Sequence, residues 1–180
     1  YGWYFRTQQG KKETSFRWRG RKPEYKTYKL RDPFFELNPK TLASGLDDYP
    51  RASNPSEDER HLDLRCWLSI GAKVLAEIGE KIGAPDIEVD TYWRMHSKLS
   101  KKSELNALHY DKDSKRYLDF GFHSEDLLMT NAMEKQTGIT HHFRVLHPKG
   151  EKPRLQFVPH FGYNSLFPLI ARILPPESKE

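Results

Sequence analysis

The segment Ser44-Gly45-Leu46-Asp47-Asp48-Tyr49-Pro50-Arg51-Ala52-Ser53 places two carboxylates, an aromatic ring and a guanidinium within one short run. Gly45 and Pro50 break regular backbone, so the acids belong on a loop and not on a packed face. Carboxylates protonate or activate oxygens, a guanidinium forks onto hydroxyls or anions, and an aromatic ring stacks on a pyranose. The set suits sugar chemistry. An inverting glycosidase needs its two carboxyl groups roughly 6.5–9.5 Å apart with a water between them. Asp47 and Asp48 are a poor acid–base pair for that, because adjacent side chains on an extended turn diverge. From residue types alone, both acids could equally cap the turn or the helix that follows. Arg51 could bind a sugar, hold Asp47 in place, or pair with Glu57 or Asp58. Tyr49 could stack on a sugar or pack beside Pro50.

The elements that must carry this loop are readable in outline. Ser56 with Glu59 three residues later is a capping-box pattern, which predicts a helix from Ser56. Leu64, Trp67, Leu68, Gly71, Leu75, Ile78 and Ile82 recur mostly at steps of three and four, so one buried face is expected, widened by Ile70 and Val74. Gly83 with Pro85 should stop this helix. His61 and Asp63 would lie in its first turns, next to the loop, as support for it or as ordinary surface charge. A second helix is expected over Asp86 to Leu108, broken near Ser100, with Tyr92, Trp93, Leu99, Leu105 and Leu108 inward. Residues 109 to 121 read as a β-hairpin around an Asp-rich turn. Residues 122 to 150 show little apolar period and read as an exposed insertion. A strand at Arg154 to Val158 precedes a last apolar helix, capped by Ser165 and running to Leu174, with Pro168 in its first turn. At the other end, residues 1 to 10 read as a helix end with Trp3, Tyr4 and Phe5 inward. Residues 11 to 43 read as irregular, with short strands around Phe16 to Trp18 and Tyr25 to Tyr28. The chain is therefore mainly α with small β elements.

Composition narrows the function classes. The 180 residues suffice for one domain with a real core, and 36% hydrophobic residues with 13% aromatics argue against disorder. A net charge of +5 raises the question of nucleic acid. The densest basic cluster, Arg17-Arg19-Arg21-Lys22 with Phe16 and Trp18 interleaved, could bind phosphates, though a solvated face suits the scattered charge better. Trp18 and Arg19 could otherwise line an outer sugar subsite. The single cysteine, Cys66, falls in an apolar helical run and reads as a buried structural thiol. His141, His142 and His147 lack matching Cys or carboxylate partners, and Asp111, Asp113 and Asp119 lack the glycine and closing glutamate of a calcium loop. No metal or cofactor is expected. The aromatic start without Met and the apolar closing helix make the chain read as a piece cut from a larger protein at both ends.

Four runs resemble glycoside hydrolase family 63: Arg17-Trp18-Arg19-Gly20-Arg21; Leu37 to Leu42 continuing through Ser44–Ser53 to Ser56; Glu59 to Trp67; and Phe161 to Leu169. The resemblance covers most of the chain and is weakest at residues 11–36 and 122–150. It implies part of an (α/α)6 toroid catalytic domain. It also implies an inverting exo-α-glucosidase that removes the terminal α-1,2-linked glucose from the triglucosylated N-glycan precursor. Related toroid enzymes carry a Ser-Gly-x-Asp pattern whose Asp is the general acid, and here that residue is Asp47. Asp48, Tyr49 and Arg51 are then the expected substrate-binding residues. The base is expected on a Glu outside this chain, so the piece alone should be inactive. The implied setting is the endoplasmic reticulum lumen, in a membrane-anchored parent whose remaining catalytic domain would be the chain's partner. The implied substrate is the N-linked oligosaccharide of nascent glycoproteins, and nucleic acid is not an expected partner. A trehalase-like toroid glycosidase and a basic nucleic-acid-binding module are the alternative readings.

Overall fold

The computed structural model describes residues 1–20, 41–133 and 136–174. Its largest unit is a pair of antiparallel helices, α2 (Leu62–Ile82) and α3 (Asp86–Ser100). Gly83 turns the chain between them at φ 68°, a left-handed conformation that costs glycine nothing, and the Ala84 N–H closes onto the Gly79 carbonyl at 2.9 Å. The antiparallel course shows in the contacts: Trp93 Nε1 donates to Glu80, His96 meets Ser69, and Arg65 Nε donates to the Leu99 carbonyl. α4 (Lys102–His109) follows an extended Lys101, so the expected break near Ser100 is present.

Around the helix pair lie α1 (Gly2–Thr7) and, among the described residues, three two-stranded antiparallel sheets. β1 (Tyr110–Asp111) and β2 (Arg116–Tyr117) form the expected hairpin, and the Asp111 carboxylate accepts the Asp113 and Ser114 N–H groups inside its turn. β3 (Phe120–His123) pairs with β6 (Arg154–Phe157). Between them β4 (Leu127–Met133) and β5 (Thr140–Leu146) form a regular hairpin in the stretch the sequence reads as an exposed insertion of little apolar period. With exposed residues on both faces of this hairpin, such as Leu128 and Met129, the hydrophobic alternation that marks a strand is missing. α5 (Tyr163–Ile170) closes the described chain. The fold is mainly α, and no described helix is long and apolar enough to cross a membrane.

Two apolar clusters flank α2. Leu62 and Cys66 join Leu105, Tyr117, Phe167, Ile173 and Leu174 on one side. Leu64 and Leu68 join Phe16, Trp18 and Leu99 on the other, with Tyr1 and Phe5 against them. Cys66 is the buried thiol expected, and burial pushes its pKa up.

Four features differ from expectation: the start of α2, its buried face, the inward residues at α1 and the cap of α5. α2 begins at Leu62 and not at Ser56. Arg60 is drawn into an antiparallel bridge with Phe120 (2.8 and 3.1 Å), its guanidinium lying 4.0 Å from that ring, and His61 donates to the Phe16 carbonyl, which keeps the backbone extended. The inner face of α2 includes Ala72, Ala76 and Gly79, while Trp67, Val74, Ile78 and Ile82 are exposed. Close approach of α3 selects small residues: a Cβ on Gly79 would lie 2.9 Å from Val89 Cγ2. At α1 the inward residues are the cap residue Tyr1 and Phe5, four apart, while Trp3 and Tyr4 face outward. Three consecutive helical residues cannot share one face. At α5, Ser165 lies inside the helix, Gly162 is at the cap, and Pro168 sits well past the first turn. The strand expected around Tyr25 to Tyr28, and Arg21 and Lys22, fall outside the described residues.

Candidate active site

The loop that carries the acids is shaped from its start. A single 3-10 turn, Leu42–Ser44, leads to Gly45 at φ 70°, and the Ser44 hydroxyl both donates to the Thr41 carbonyl (2.7 Å) and accepts the Leu46 N–H (3.0 Å). The Tyr49 N–H then closes onto the Leu46 carbonyl at 3.1 Å, which sets Asp47 and Asp48 at the exposed corner of a turn. From Tyr49 onward every second residue is tied to the body of the protein. The Tyr49 hydroxyl donates to the His160 carbonyl at 2.8 Å, and its ring packs on Gly162, where a Cβ would lie only 2.9 Å from Cε2. Arg51 points into the core. The Ser53 N–H donates to His123 Nδ1 at 3.0 Å, and the Ser53 hydroxyl accepts the Ser124 N–H at 2.9 Å. Ala52 faces the other way, where a Cβ on Gly121 would come within 2.6 Å of its own. This alternation is that of an extended segment.

Arg51 is the central tie. Its side chain is 0% exposed and forks onto two carboxylates: Nη1 and Nη2 donate to Asp63 Oδ1 and Oδ2 at 3.0 and 2.7 Å, and Nη1 also donates to Asp119 Oδ2 at 2.9 Å. Each acid has a second task. Asp63 Oδ2 accepts the Trp18 indole N–H at 2.9 Å, and Asp119 Oδ1 accepts the Leu62 N–H at 2.8 Å. The Asp63 N–H in turn donates to Asn164 Oδ1 at 3.1 Å. The first two N–H groups of α2 are therefore capped by side chains 57 and 101 residues further along. That is why no capping box forms at Ser56: the cap comes from the tertiary fold. The network joins the acid loop, the start of α2, the strand entering β3, the start of α5 and the Trp18 segment.

The electrostatics follow from this enclosure. Burial would push the Arg51 guanidinium down, but the charges of Asp119 and Asp63 outweigh it and hold its pKa above the ordinary arginine value. Burial lifts Asp119 above the usual carboxylate range, against the opposing pull of Arg51. Burial, helped by the Asp119 charge, pushes the Tyr49 phenol up to about 12.

The structure thus separates the four candidate residues. Asp47 and Asp48 face outward on the turn, Tyr49 is half-buried with its hydroxyl bonded to the protein, and Arg51 is enclosed. Of the roles open to Arg51 in the sequence, the ion pair is the one seen, with Asp63 and Asp119 in place of Glu57 and Asp58. His61 and Asp63 are buried beside the loop, and His61 Nδ1 accepts the Trp18 N–H at 2.9 Å. In the described part of the basic cluster, Arg19 is exposed with its guanidinium donating to the Thr7 and Gln9 carbonyls, and half-buried Arg17 lies 3.7 Å from the exposed Glu57.

Sequence reasoning did not find Asp119, His123, His160 or Asn164. Asp119 carried a signal, since an acid between Leu118 and Phe120 is set among residues that get buried. The other three are brought to the site only by strand pairing and by the start of α5. Among the described residues one set of donor atoms is close enough to suggest a metal: those of His123, Glu125 and His160, all within 4.8 Å of one another.

Comparison with known proteins places this chain in a family. The chain is 43% identical over 180 residues to a mannosyl-oligosaccharide glucosidase of Arabidopsis thaliana, covering 99% of the chain and 20% of that protein. It is equally similar, at 43% over 180 residues, to alpha-glucosidase 2 of the same plant, covering 99% of the chain and 22% of that protein. A probable mannosyl-oligosaccharide glucosidase of Schizosaccharomyces pombe is 33% identical over 129 residues, 66% of the chain and 14% of that protein. The chain thus spans about a fifth of the length of the Arabidopsis relatives. The family model for the glycosyl hydrolase family 63 C-terminal domain matches residues 1–180, and the chain belongs to that family.

Proposed function

We propose that this chain is the acid-bearing part of an inverting exo-α-glucosidase that removes the terminal α-1,2-linked glucose from the triglucosylated N-glycan precursor. The observation that carries the reading is the turn at Asp47 and Asp48: two outward carboxylates on a loop whose other side is tied down at Tyr49, Arg51 and Ser53. A general acid must meet the leaving oxygen in fixed geometry, and such a loop supplies it. Asp47 donates the proton and Asp48 accepts a sugar hydroxyl. Tyr49 borders the sugar with its ring, while Arg51, enclosed beneath the turn, acts by positioning it and does not touch substrate. The general base comes from elsewhere in the full-length protein, so residues 1–180 alone do not turn over substrate.

Relatives that are mannosyl-oligosaccharide glucosidases support the oligosaccharide substrate. An (α/α)6 toroid is built from helix pairs such as α2 and α3. The exposed Trp67, Ile78 and Ile82 on α2, and Leu169 and Ile170 on α5, suit further pairs packing against them. The setting proposed is the lumen of the endoplasmic reticulum, in a membrane-anchored parent. Proton NMR of the first product released by the full-length protein from an α-glucosyl substrate tests the mechanism: β-glucose is expected. Initial release of α-glucose would exclude inversion.

A further inference from the structure

His123, Glu125 and His160 look like a metal trio, but their hydrogen bonds point to a different role. His123 Nδ1 accepts the Ser53 N–H at 3.0 Å, so in the neutral ring the proton sits on Nε2. That Nε2–H then donates to Glu125 Oε1. A metal on Nε2 would need the proton moved to Nδ1, where it would face the Ser53 N–H head on. Metal-bound histidines have the opposite arrangement, donating from the ring nitrogen that does not bind the metal.

From this we infer that His123 is a positioning residue for the acid loop, an inference that rests on the proposal that this loop carries Asp47. His123 is buried at 3% exposure, and its own carbonyl is held by the Gln156 side-chain amide at 2.8 Å. Its ring meets the His160 ring edge to face, with centroids 5.5 Å apart. The His160 carbonyl holds the Tyr49 hydroxyl, so the two histidines grip the loop at residues 53 and 49, on either side of Arg51. Glu125, 3.5 Å from His160 Nε2 as well, fixes the outer end of the His123 ring. His123 thus sets the backbone of Ser53, and through it the direction of the turn at Asp47.

The two amide isosteres separate the two ends of the ring. His123→Asn places an acceptor where Nδ1 is and keeps the Ser53 bond, whereas His123→Gln reaches Glu125 and leaves the Ser53 N–H unpaired. In the full-length protein, His123→Gln should lower kcat by about 10–100-fold with KM little changed, the loss expected for a small misplacement of a catalytic group. His123→Asn should retain at least about tenfold more kcat than His123→Gln. Hydrogen exchange at the peptide covering residues 47–54 should speed up in His123→Gln and less so in His123→Asn. Histidine-selective 15N NMR of the wild type should show His123 protonated on Nε2 and not on Nδ1, with no change on adding zinc. A proton on Nδ1, zinc bound through His123, or equal kcat and equal exchange in the two variants would overturn the inference. If the wild type hydrolyses no α-glucoside, the proposed activity fails, while the tautomer and the exchange rates still decide the role of His123 in holding the loop.

Discussion

Replacing Arg51 with Met tests whether the acid loop stands on a charge network. The substitution keeps much of the side-chain length but removes five donors from a site where the wild-type side chain is 0% exposed. Asp63 and Asp119 would be left as buried carboxylates facing each other without a cation. Breaking a buried ion pair from one side costs about 3–5 kcal/mol, a large part of the 5–15 kcal/mol that holds an ordinary domain together. The penalty must depend on pH, and its sign can be worked out. Burial already lifts the folded pKa of Asp119, and Arg51 opposes that lift. Without Arg51 the folded pKa rises further above the unfolded carboxylate value of about 3.9. A carboxyl raised in the folded state adds no cost below its unfolded pKa, and the cost grows as pH climbs through the folded pKa. Arg51→Met should therefore hurt most near pH 7 and progressively less toward pH 4. The assay is urea unfolding of the full-length protein at both pH values, with the midpoint falling by at least roughly 1 M at pH 7. Adding Asp119→Asn to Arg51→Met should recover part of the loss. A penalty under about 1 kcal/mol, or one unchanged between pH 7 and pH 4, would refute the reasoning.

Two further outcomes follow from close packing around the loop. Gly121→Ala puts a methyl 2.6 Å from the Ala52 Cβ and 3.3 Å from Glu59 Cγ, so it should cost about 1–3 kcal/mol, and a double-mutant cycle with Ala52→Gly should return part of that. Tyr49, with its phenol at about 12, should stay mostly un-ionised up to pH 11 in an ultraviolet titration of the native protein, and Tyr49→Phe should remove one such late-titrating phenol and lower the stability by about 1 kcal/mol.

Much of this architecture can be read along the chain where the signal is local. The stop at Gly83, the break at Lys101 and the hairpin at Asp111 depend on residues within a few positions of each other, and all three are present. The start of α2 does not, because its caps, Asp119 and Asn164, lie far along the chain and a plausible local cap at Ser56 competes with them on paper. The buried face of α2 is legible only in part for a related reason: Leu64 and Leu68 are buried, while Trp67, Ile78 and Ile82 are exposed. Apolar size marks a face that contacts something, but the buried positions of α2 include the small residues Ala72, Ala76 and Gly79, the last lying against Val89 of α3. At the site, the dense Asp-Asp-Tyr-Pro-Arg run marked the loop. It could not show that Arg51 turns inward, since its partners Asp63 and Asp119 meet only when α2 and β3 are assembled. The histidines at 123 and 160 are brought near the loop in the same way, by pairing of β3 with β6.

The central claim is that Asp47 gives a proton to the departing sugar oxygen, and leaving-group dependence tests it most directly. Asp47→Asn in the full-length protein keeps the shape of the side chain and removes its acidity. On the natural glycosidic linkage, whose alkoxide needs protonation, kcat should fall by about 10²–10⁴ with binding largely kept. On α-glucosyl fluoride, whose leaving group departs as a stable anion, the same variant should lose less than about tenfold. An equal loss on both substrates, or full activity on the natural one, would contradict the assignment of Asp47 as the acid.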